Sequence, residues 1–279
     1  MLRSGLIGRA ILASRSPWLH EQEARAQGLS LTYELVDFDQ RGLSDDALPE
    51  VIADLTARGF SGFNVTYPFK QAILPLLDSL DVSASLVGAV NTVAIRADGL
   101  TGHNTDMSGF RESFARGLPG GDLTNVLQIG AGGAGSAVAV ALLALGTESL
   151  TIADLDRDKA RDLARHLASI YPAARITPVA VSDVLPSQYS GIVNATPAGM
   201  AKSPGAPIAT ADIRPAQWVA DIVYFPLETS LLSEARSKGC PTLDGSGMAI
   251  NQAALAFEII TGRTADVDRM RESFAVPTA

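Results

Sequence analysis

Gly130, Gly132 and Gly135 form a G-x-G-x-x-G run between an apolar, strand-like stretch at 123–129 and an alanine-rich, helix-like stretch at 134–145. That setting constrains the fold more than any other feature of the chain. In a strand–loop–helix unit the first glycine permits a tight turn and the second lets backbone amides approach a pyrophosphate. The third lets helix and strand pack closely, with the helix N-terminus facing the anion. Among 25 glycines a chance match is the competing reading. The context argues against chance, because the next strand-like run, 149–153, ends on Asp154, where a βαβ unit carries its ribose-binding acid. A dinucleotide is therefore expected against Gly130, Ala131, Gly132, Gly133, Ala134 and Gly135.

About 120 residues precede the run, enough for a separate domain, so the cofactor module is expected to come second. The 279 residues are 47% hydrophobic, without repeats or low-complexity tracts, which suits two modest cores. No stretch approaches the roughly 20 apolar residues of a membrane span, and residues 1–10 lack the ordered zones of a signal peptide. A soluble, cytoplasmic protein without a membrane partner is expected. A formal charge of -8 opposes phosphate-backbone binding, so nucleic acid is not an expected partner. No metal is expected either. The single cysteine, Cys240, cannot form an internal disulfide and reads as buried and inert.

Strand-like runs at 5–8, 31–38 and 62–66 alternate with helix-like runs at 17–26, 43–58 and 69–77, which implies a mostly parallel sheet covered by helices. Runs 89–95 and 100–103 flank the turn Arg96-Ala97-Asp98-Gly99 and read as a hairpin on the sheet edge. A helix over 106–116 follows, with Asn104, Thr105 or Asp106 as its cap. Strands near 176–181, 191–195, 219–223 and 241–243 continue a doubly wound pattern. The final helices, 247–261 and 267–274, have no strand to accompany and are expected to pack back on the first domain.

A nicotinamide enzyme needs a group to exchange a proton beside the carbon that exchanges hydride. Of the three histidines, His166 lies mid-helix and reads as solvent-facing; His20 reads as a helix-surface or packing residue; His103, at a strand end, has no local partner to orient it. Lysine is the better candidate. Lys70 ends the run Asn64-Val65-Thr66-Tyr67-Pro68-Phe69-Lys70, beyond the C-terminal end of a strand, where open α/β sheets bind ligands. A cation at a helix start also opposes the local dipole. An ordinary surface lysine is the alternative, and for Asp106 the alternative is a helix cap.

Read in order, Ser14-Arg15-Ser16-Pro17, the Asn64 to Lys70 run, Gly88-Ala89-Val90-Asn91-Thr92, Asn104-Thr105-Asp106, the glycine run, Asn194-Ala195-Thr196-Pro197 with Gly199-Met200, and Gln252 resemble the blocks of the shikimate/quinate dehydrogenase family. The resemblance spans nearly the whole chain. It implies a two-domain α/β fold, with a substrate domain over 1–105 and 245–279 and a Rossmann-type doubly wound sheet over 106–244. It also implies reversible, nicotinamide-dependent oxidation of a ring hydroxyl of shikimate or quinate, a polyol carboxylate. The family pattern gives Ser14 and Ser16 to the carboxylate, and Thr66, Asn91, Asp106 and Gln252 to ring hydroxyls. Lys70 and Asp106 become the catalytic pair, and Thr196, Pro197 and Gly247 join the cofactor contacts. Neutral hydroxyls and amides suit a polyol. Their ordinary alternatives are a helix cap for Ser16, an edge-strand bond for Asn91 and a helix surface for Gln252.

Ala13 and Glu21 stand where the family usually has histidine and asparagine, and Met248-Ala249 replaces Met-Leu, which implies a reshaped substrate mouth. Family members that use NADP carry Asn-Arg-Thr after the second cofactor strand, where this chain has Asp154-Leu155-Asp156. Two carboxylates repel a 2'-phosphate, and Arg157 is expected to pair with one of them, so NAD is expected rather than NADP. A dehydrogenase of an amino-substituted shikimate, and a catalytically silent cofactor-sensing regulator, are the alternatives. Preference between quinate and shikimate, and formation of a homodimer, stay open.

Overall fold

The computed structural model describes residues 1–276. The chain divides into two compact units, Met1–Thr105 with the segment from Ile250 onward, and Asp106–Ala249.

In the first unit the elements run β1 (Leu2–Gly8), α1 (Ser16–Ala26), β2 (Leu31–Asp37), α2 (Leu48–Ala57), β3 (Gly62–Val65), α3 (Phe69–Ala72), β4 (Ser79–Leu80), α4 (Val82–Val87), β5 (Thr92–Arg96) and β6 (Gly99–His103). Their sheet has the order β2-β1-β3-β5-β6-β4. β1 runs parallel to β2 and β3, and the β5–β6 hairpin joins antiparallel to β3. The expected hairpin is present but does not form the edge, because β4 pairs with β6 outside it. Two polar-flanked residues are too short a strand to leave a period-2 signal. The helix expected over 69–77 is a single α-turn followed by a 3-10 turn at Leu74–Leu76, since Pro75 cannot supply the N–H that would continue it. The helix expected over 43–58 likewise splits into a 3-10 turn at Asp45–Ala47 and α2. Ile7, Val36, Phe38, Leu55, Phe63 and Phe69 fill the core beneath this sheet.

The second unit contains α5 (Thr105–Gly117), β7 (Asn125–Ile129), α6 (Gly133–Ala144), β8 (Ser149–Asp154), α7 (Arg157–Ile170), β9 (Arg175–Ala180), β10 (Gly191–Asn194), β11 (Trp218–Asp221), α8 (Ser230–Ser237) and β12 (Thr242–Leu243). All six strands are parallel, in the order β9-β8-β7-β10-β11-β12. That is the doubly wound arrangement, with its reversal between β7 and β10. The central strands are buried along their length, as a parallel sheet covered on both faces requires. α7 is buried at Ala160, Leu163, Ala164 and Leu167, one face at helical spacing, and charged elsewhere. α6, by contrast, is buried almost all round, which its alanines and glycines allow.

Two further helices, α9 (Ser246–Thr261) and α10 (Val267–Ala275), close the chain. Beyond Ile250 they belong to the first unit, where α10 lies against α1. The buried Glu23 carboxylate fastens that contact. It accepts from Arg269 Nε at 2.7 Å, Arg269 Nη2 at 2.8 Å, the Asp266 backbone N–H at 3.0 Å and Gln27 Nε2 at 2.7 Å. Burial pushes its pKa up, but those hydrogen bonds outweigh burial and hold it below the usual carboxylate range.

Glu23→Ala is expected to cost about 1–3 kcal/mol, because it strips acceptors from a partly buried N–H and a guanidinium. Chemical denaturation measures the loss, and hydrogen exchange should show α10 opening before the sheet.

Candidate functional site

At the switch point of the second unit, backbone and side chains converge on the glycine run. Gly130 has φ +105°, and a Cβ on it would lie 2.6 Å from the Ala195 carbonyl oxygen. A Cβ on Gly135 would lie 2.3 Å from the Gly130 oxygen, so only glycine lets α6 approach β7 this closely. Gln128, fully buried, donates from Nε2 to the carbonyls of Gly130 and Gly135, 2.8 Å each. Gly132 differs. It precedes α6 without a side-chain cap, and a Cβ there would meet nothing within 4 Å. That leaves space in front of the first-turn amides of Gly133, Ala134 and Gly135, a cradle that fits a pyrophosphate.

Asp154 ends β8 and serves the loop itself: its Oδ2 accepts from Ala131 N at 2.7 Å and its Oδ1 from Asp156 N at 2.9 Å. Asp156 in turn caps α7, accepting from Asp158 N at 3.0 Å. Leu155, between them, is 94% exposed. The expected pairing of Arg157 with one of these acids is not found. Among the described residues it forms no ion pair, because both carboxylates are turned onto backbone N–H groups.

Beyond β10, Thr196 donates from N and Oγ1 to Asn194 Oδ1 at 3.0 and 2.7 Å, and Pro197 is exposed. Asn194 Nδ2 donates to Ala198 O and to Asp221 Oδ1, 2.9 Å each. Asp221, at the end of β11, also accepts from Val223 N at 3.0 Å and Thr229 Oγ1 at 2.8 Å. Burial pushes its pKa up to about 6, against the pull of those hydrogen bonds. A Cβ on Gly247 would come within 2.2 Å of Ser113 Oγ, so this position brings α9 close to α5. Asp106 is buried in the first turn of α5. It is not the helix cap, because α5 already begins at Thr105. Its charge adds to burial in raising the Tyr224 hydroxyl pKa.

In the first unit a polar cluster is set into the core. Asn91 Oδ1 accepts from Thr105 N at 2.8 Å, and its Nδ2 donates to Thr105 Oγ1 at 2.9 Å and to Gln252 Oε1 at 3.5 Å. Thr92 Oγ1 donates to Asn91 Oδ1 and receives from Asn64 Nδ2. Tyr33 donates to Asn64 Oδ1 at 2.7 Å and also bonds Ser16. Burial raises the tyrosine pKa, and the Ser16 bond opposes it. Ser14 Oγ lies 3.1 Å from Ser16 Oγ and accepts from Ser16 N. Ser16 is thus not the cap of α1 but its first residue. One hydrogen-bonded chain joins Ser14, Ser16 and Asn91, and Gln252 meets it through Asn91 and Thr105. Tyr33, Asn64, Thr92 and Thr105 complete it, although spacing alone gave them no distinct signal.

Lys70 is partly exposed on α3, two residues beyond the cis Tyr67–Pro68 bond, and its carbonyl accepts from Val90 N at 2.7 Å. A single α-turn carries little dipole, so the dipole argument for Lys70 lapses. Thr66, also partly exposed, has its methyl against Gly8. His20 is 1% exposed and packs on Tyr33 and Phe257; burial pushes its pKa down to about 3. His103 does have a neighbour: Nδ1 lies 3.8 Å from Asp81, while burial lowers its pKa more than Asp81 raises it. Glu21 accepts from Tyr33 N at 2.9 Å, serving the edge strand β2. Cys240 is buried, which raises its pKa, as expected of an inert thiol. No helix among the described residues is long and apolar enough to cross a membrane.

A doubly wound sheet with a glycine loop at its switch point, joined in one chain to a second α/β unit lined by neutral polar groups, defines a dinucleotide-dependent class of α/β protein. Residues 6–93 match the shikimate dehydrogenase substrate binding domain, and 245–273 the shikimate 5'-dehydrogenase C-terminal domain. The quinate/shikimate dehydrogenase (NAD(+)) of Corynebacterium efficiens is 45% identical over 97% of this chain and 96% of its own length. The shikimate dehydrogenase (NADP(+)) of Pseudarthrobacter chlorophenolicus is also 45% identical, over 97% of this chain and 93% of its own. The structure of quinate dehydrogenase from Corynebacterium glutamicum in complex with NAD superposes with a TM-score of 0.91, at 44% identity and 98% coverage of both chains. The chain belongs to the shikimate dehydrogenase family.

Asp221 supplies a prediction about pH. Its pKa is raised on folding from 3.8 to about 6, so the folded chain binds its proton more tightly than the unfolded chain. Its contribution to stability is full below the lower value and falls as pH rises through the higher one. The Tm of Asp221→Asn relative to wild type is therefore expected to climb across that window and level off above it. Thermal scans in a pH series check the trend.

Proposed function

We propose that the chain is an NAD-dependent quinate/shikimate dehydrogenase that reversibly oxidises one ring hydroxyl of the polyol carboxylate to a 3-dehydro ketone. The observation that carries this reading is the polar cluster of the first unit, which presents neutral hydroxyls and amides suited to a polyol. Our assignment makes 1–105 and 245–279 the substrate domain and 106–244 the cofactor domain. A cytoplasmic setting is part of the same reading, supported by the single buried thiol.

The cradle of Gly130, Ala131, Gly132, Gly133, Ala134 and Gly135 would hold the pyrophosphate of NAD, with Asp154 and Asp156 at the ribose and Thr196, Pro197 and Gly247 completing the site. NAD supplies the hydride acceptor when bound. Asp154 keeps spare lone pairs on both oxygens after serving Ala131 and Asp156, enough to accept from ribose hydroxyls. The two carboxylates disfavour a 2'-phosphate. Relatives of equal identity carry both NAD and NADP names, so this loop is the feature that decides our choice.

Ser14 and Ser16 take the carboxylate, and Thr66, Asn91 and Gln252 bind ring hydroxyls. Lys70 and Asp106 act as the proton-exchanging pair: Asp106 holds the reacting hydroxyl, and Lys70 Nζ takes its proton on oxidation and returns it on reduction. Asp106 directly follows Thr105, so the chain itself leads from the amide cluster to this carboxylate.

Lys70→Ala is expected to lower kcat about 100-fold or more while the KM for quinate or shikimate changes little. Steady-state assay of NAD reduction with each substrate provides the measurement, and a raised KM at unchanged kcat would make Lys70 a binding residue. For the cofactor, Asp154→Asn with Leu155→Arg and Asp156→Thr should move the ratio of kcat/KM values from NAD toward NADP, since a guanidinium replaces two repulsive charges. Asp154→Asn also leaves one acceptor oxygen for the two amides of Ala131 and Asp156, so efficiency with NAD should fall as that with NADP rises. A wild-type enzyme already favouring NADP would overturn the reading of this loop.

A further inference from the structure

Asp221 is 2% exposed, and no cation pairs with it among the described residues. Its partners are a side-chain amide, a backbone N–H and a hydroxyl. A buried anion without a counter-ion is a costly brace, and charges kept under such conditions concentrate at functional sites. Its position explains the cost. β10 and β11 are neighbouring strands on one side of the switch point, and dinucleotides lie across the C-terminal ends of strands at such a point.

We propose that Asp221 is a positioning residue for cofactor binding: by holding Asn194 and Val223 together it fixes the segments that leave β10 and β11 in the form the dinucleotide requires. The proposal rests on the reading that the second unit binds NAD.

Three donors meeting at one point call for a group that only accepts, and a carboxylate is that group. Oδ1 takes two of them, Asn194 Nδ2 from β10 and Val223 N from the turn after β11. Asn194 is fully buried, and its amide has its orientation fixed: Oδ1 must face Thr196 N and Nδ2 must face the Ala198 carbonyl. The second Nδ2 proton therefore always points at Asp221. Through Asn194 the carboxylate shapes residues 194–198, and the Ala195 carbonyl of this stretch is the atom against which Gly130 is packed. A shift in 194–198 is felt by the first glycine of the pyrophosphate cradle. Oδ2 has a different task, bonding Thr229 at the cap of α8. The two oxygens thus divide the work, one toward the cofactor segments and one toward α8.

This division gives the test. NAD and NADH affinities are measured by direct titration, with KM for NAD and for quinate, in wild type, Asp221→Ala, Asp221→Asn and Thr229→Val, each first shown to be folded by circular dichroism and Tm. Asp221→Ala is expected to weaken NAD binding and raise its KM about tenfold, the weight of one hydrogen bond to a charged group, with the KM for quinate within about twofold. Asp221→Asn keeps an oxygen for Asn194 and Val223 and should return NAD affinity to within about twofold of wild type. Thr229→Val should lower Tm without weakening NAD binding. Should the alanine variant fail to fold, Asp221→Ser is read by the same criteria. A folded alanine or serine variant with wild-type NAD affinity would reduce Asp221 to a structural brace and overturn the proposal. An asparagine variant as weak as the alanine one would also overturn it, by making charge rather than positioning the requirement. A wild-type protein that binds no NAD would instead remove the underlying reading.

Discussion

The close approach of backbone to backbone at the glycine loop is the constraint on which the second unit depends. β7, the start of α6 and the segment after β10 meet with no room for a Cβ on Gly130 or Gly135. A crowded junction of this kind buries carbonyls and amides that must be satisfied, and two side chains do so. Gln128 fills the carbonyls from below, and Asp154 receives the Ala131 amide from the neighbouring strand. The candidate cradle is the open space in front of the amides at the head of α6, which no side chain caps. Asp154 carries two duties as a result. If, as proposed above, Asp154 also sets the choice of cofactor, then cofactor preference and loop geometry cannot be varied separately at this position.

The first unit solves the opposite problem. Its polar cluster lies within an apolar core, where unpaired groups are expensive. Asn64 and Asn91 are each locked in orientation by backbone groups, the first by the Asn91 carbonyl and the second by the Thr105 amide. The amides then dictate which way their neighbours donate. Tyr33, committed to Asn64, is left to accept from Ser16. Rigidity comes from this ordered chain of neutral groups, without ion pairs, and a neutral frame suits recognition of hydroxyls, which both donate and accept.

Much of this was legible along the chain, and the exceptions have physical causes. The parallel strands and the amphipathic α7 declare themselves because burial imposes a period that composition records. β4 escaped because two residues have no period, and the expected long helices at 43–58 and 69–77 broke at prolines whose apolar surroundings still looked helical. For Ser16 and Asp106 residue type alone leaves a helix cap as the alternative to a site role, whereas each sits inside its helix. Arg157 was expected to pair with an acid next to it in sequence. Backbone N–H groups took both acids first, because they are held in place while an exposed guanidinium must be ordered to compete.

By itself the sequence determined the order of elements, the glycine loop with its acid on the following strand, and the inventory of hydroxyls and amides that a polyol needs. These are local or compositional properties, carried by residues near one another or by types that serve few other purposes. Tertiary structure alone decided which groups those residues spend their hydrogen bonds on. Asp221 and Tyr33 look like an ordinary strand-end acid and an ordinary strand tyrosine until the sheets bring Asn194, Val223 and Thr229 to one, and Ser16 and Asn64 to the other. The partners lie at separations from 2 to 31 residues. Chain spacing does not fix which of them converge, because register between strands sets those distances, and burial then compels each polar group to take what the register places beside it.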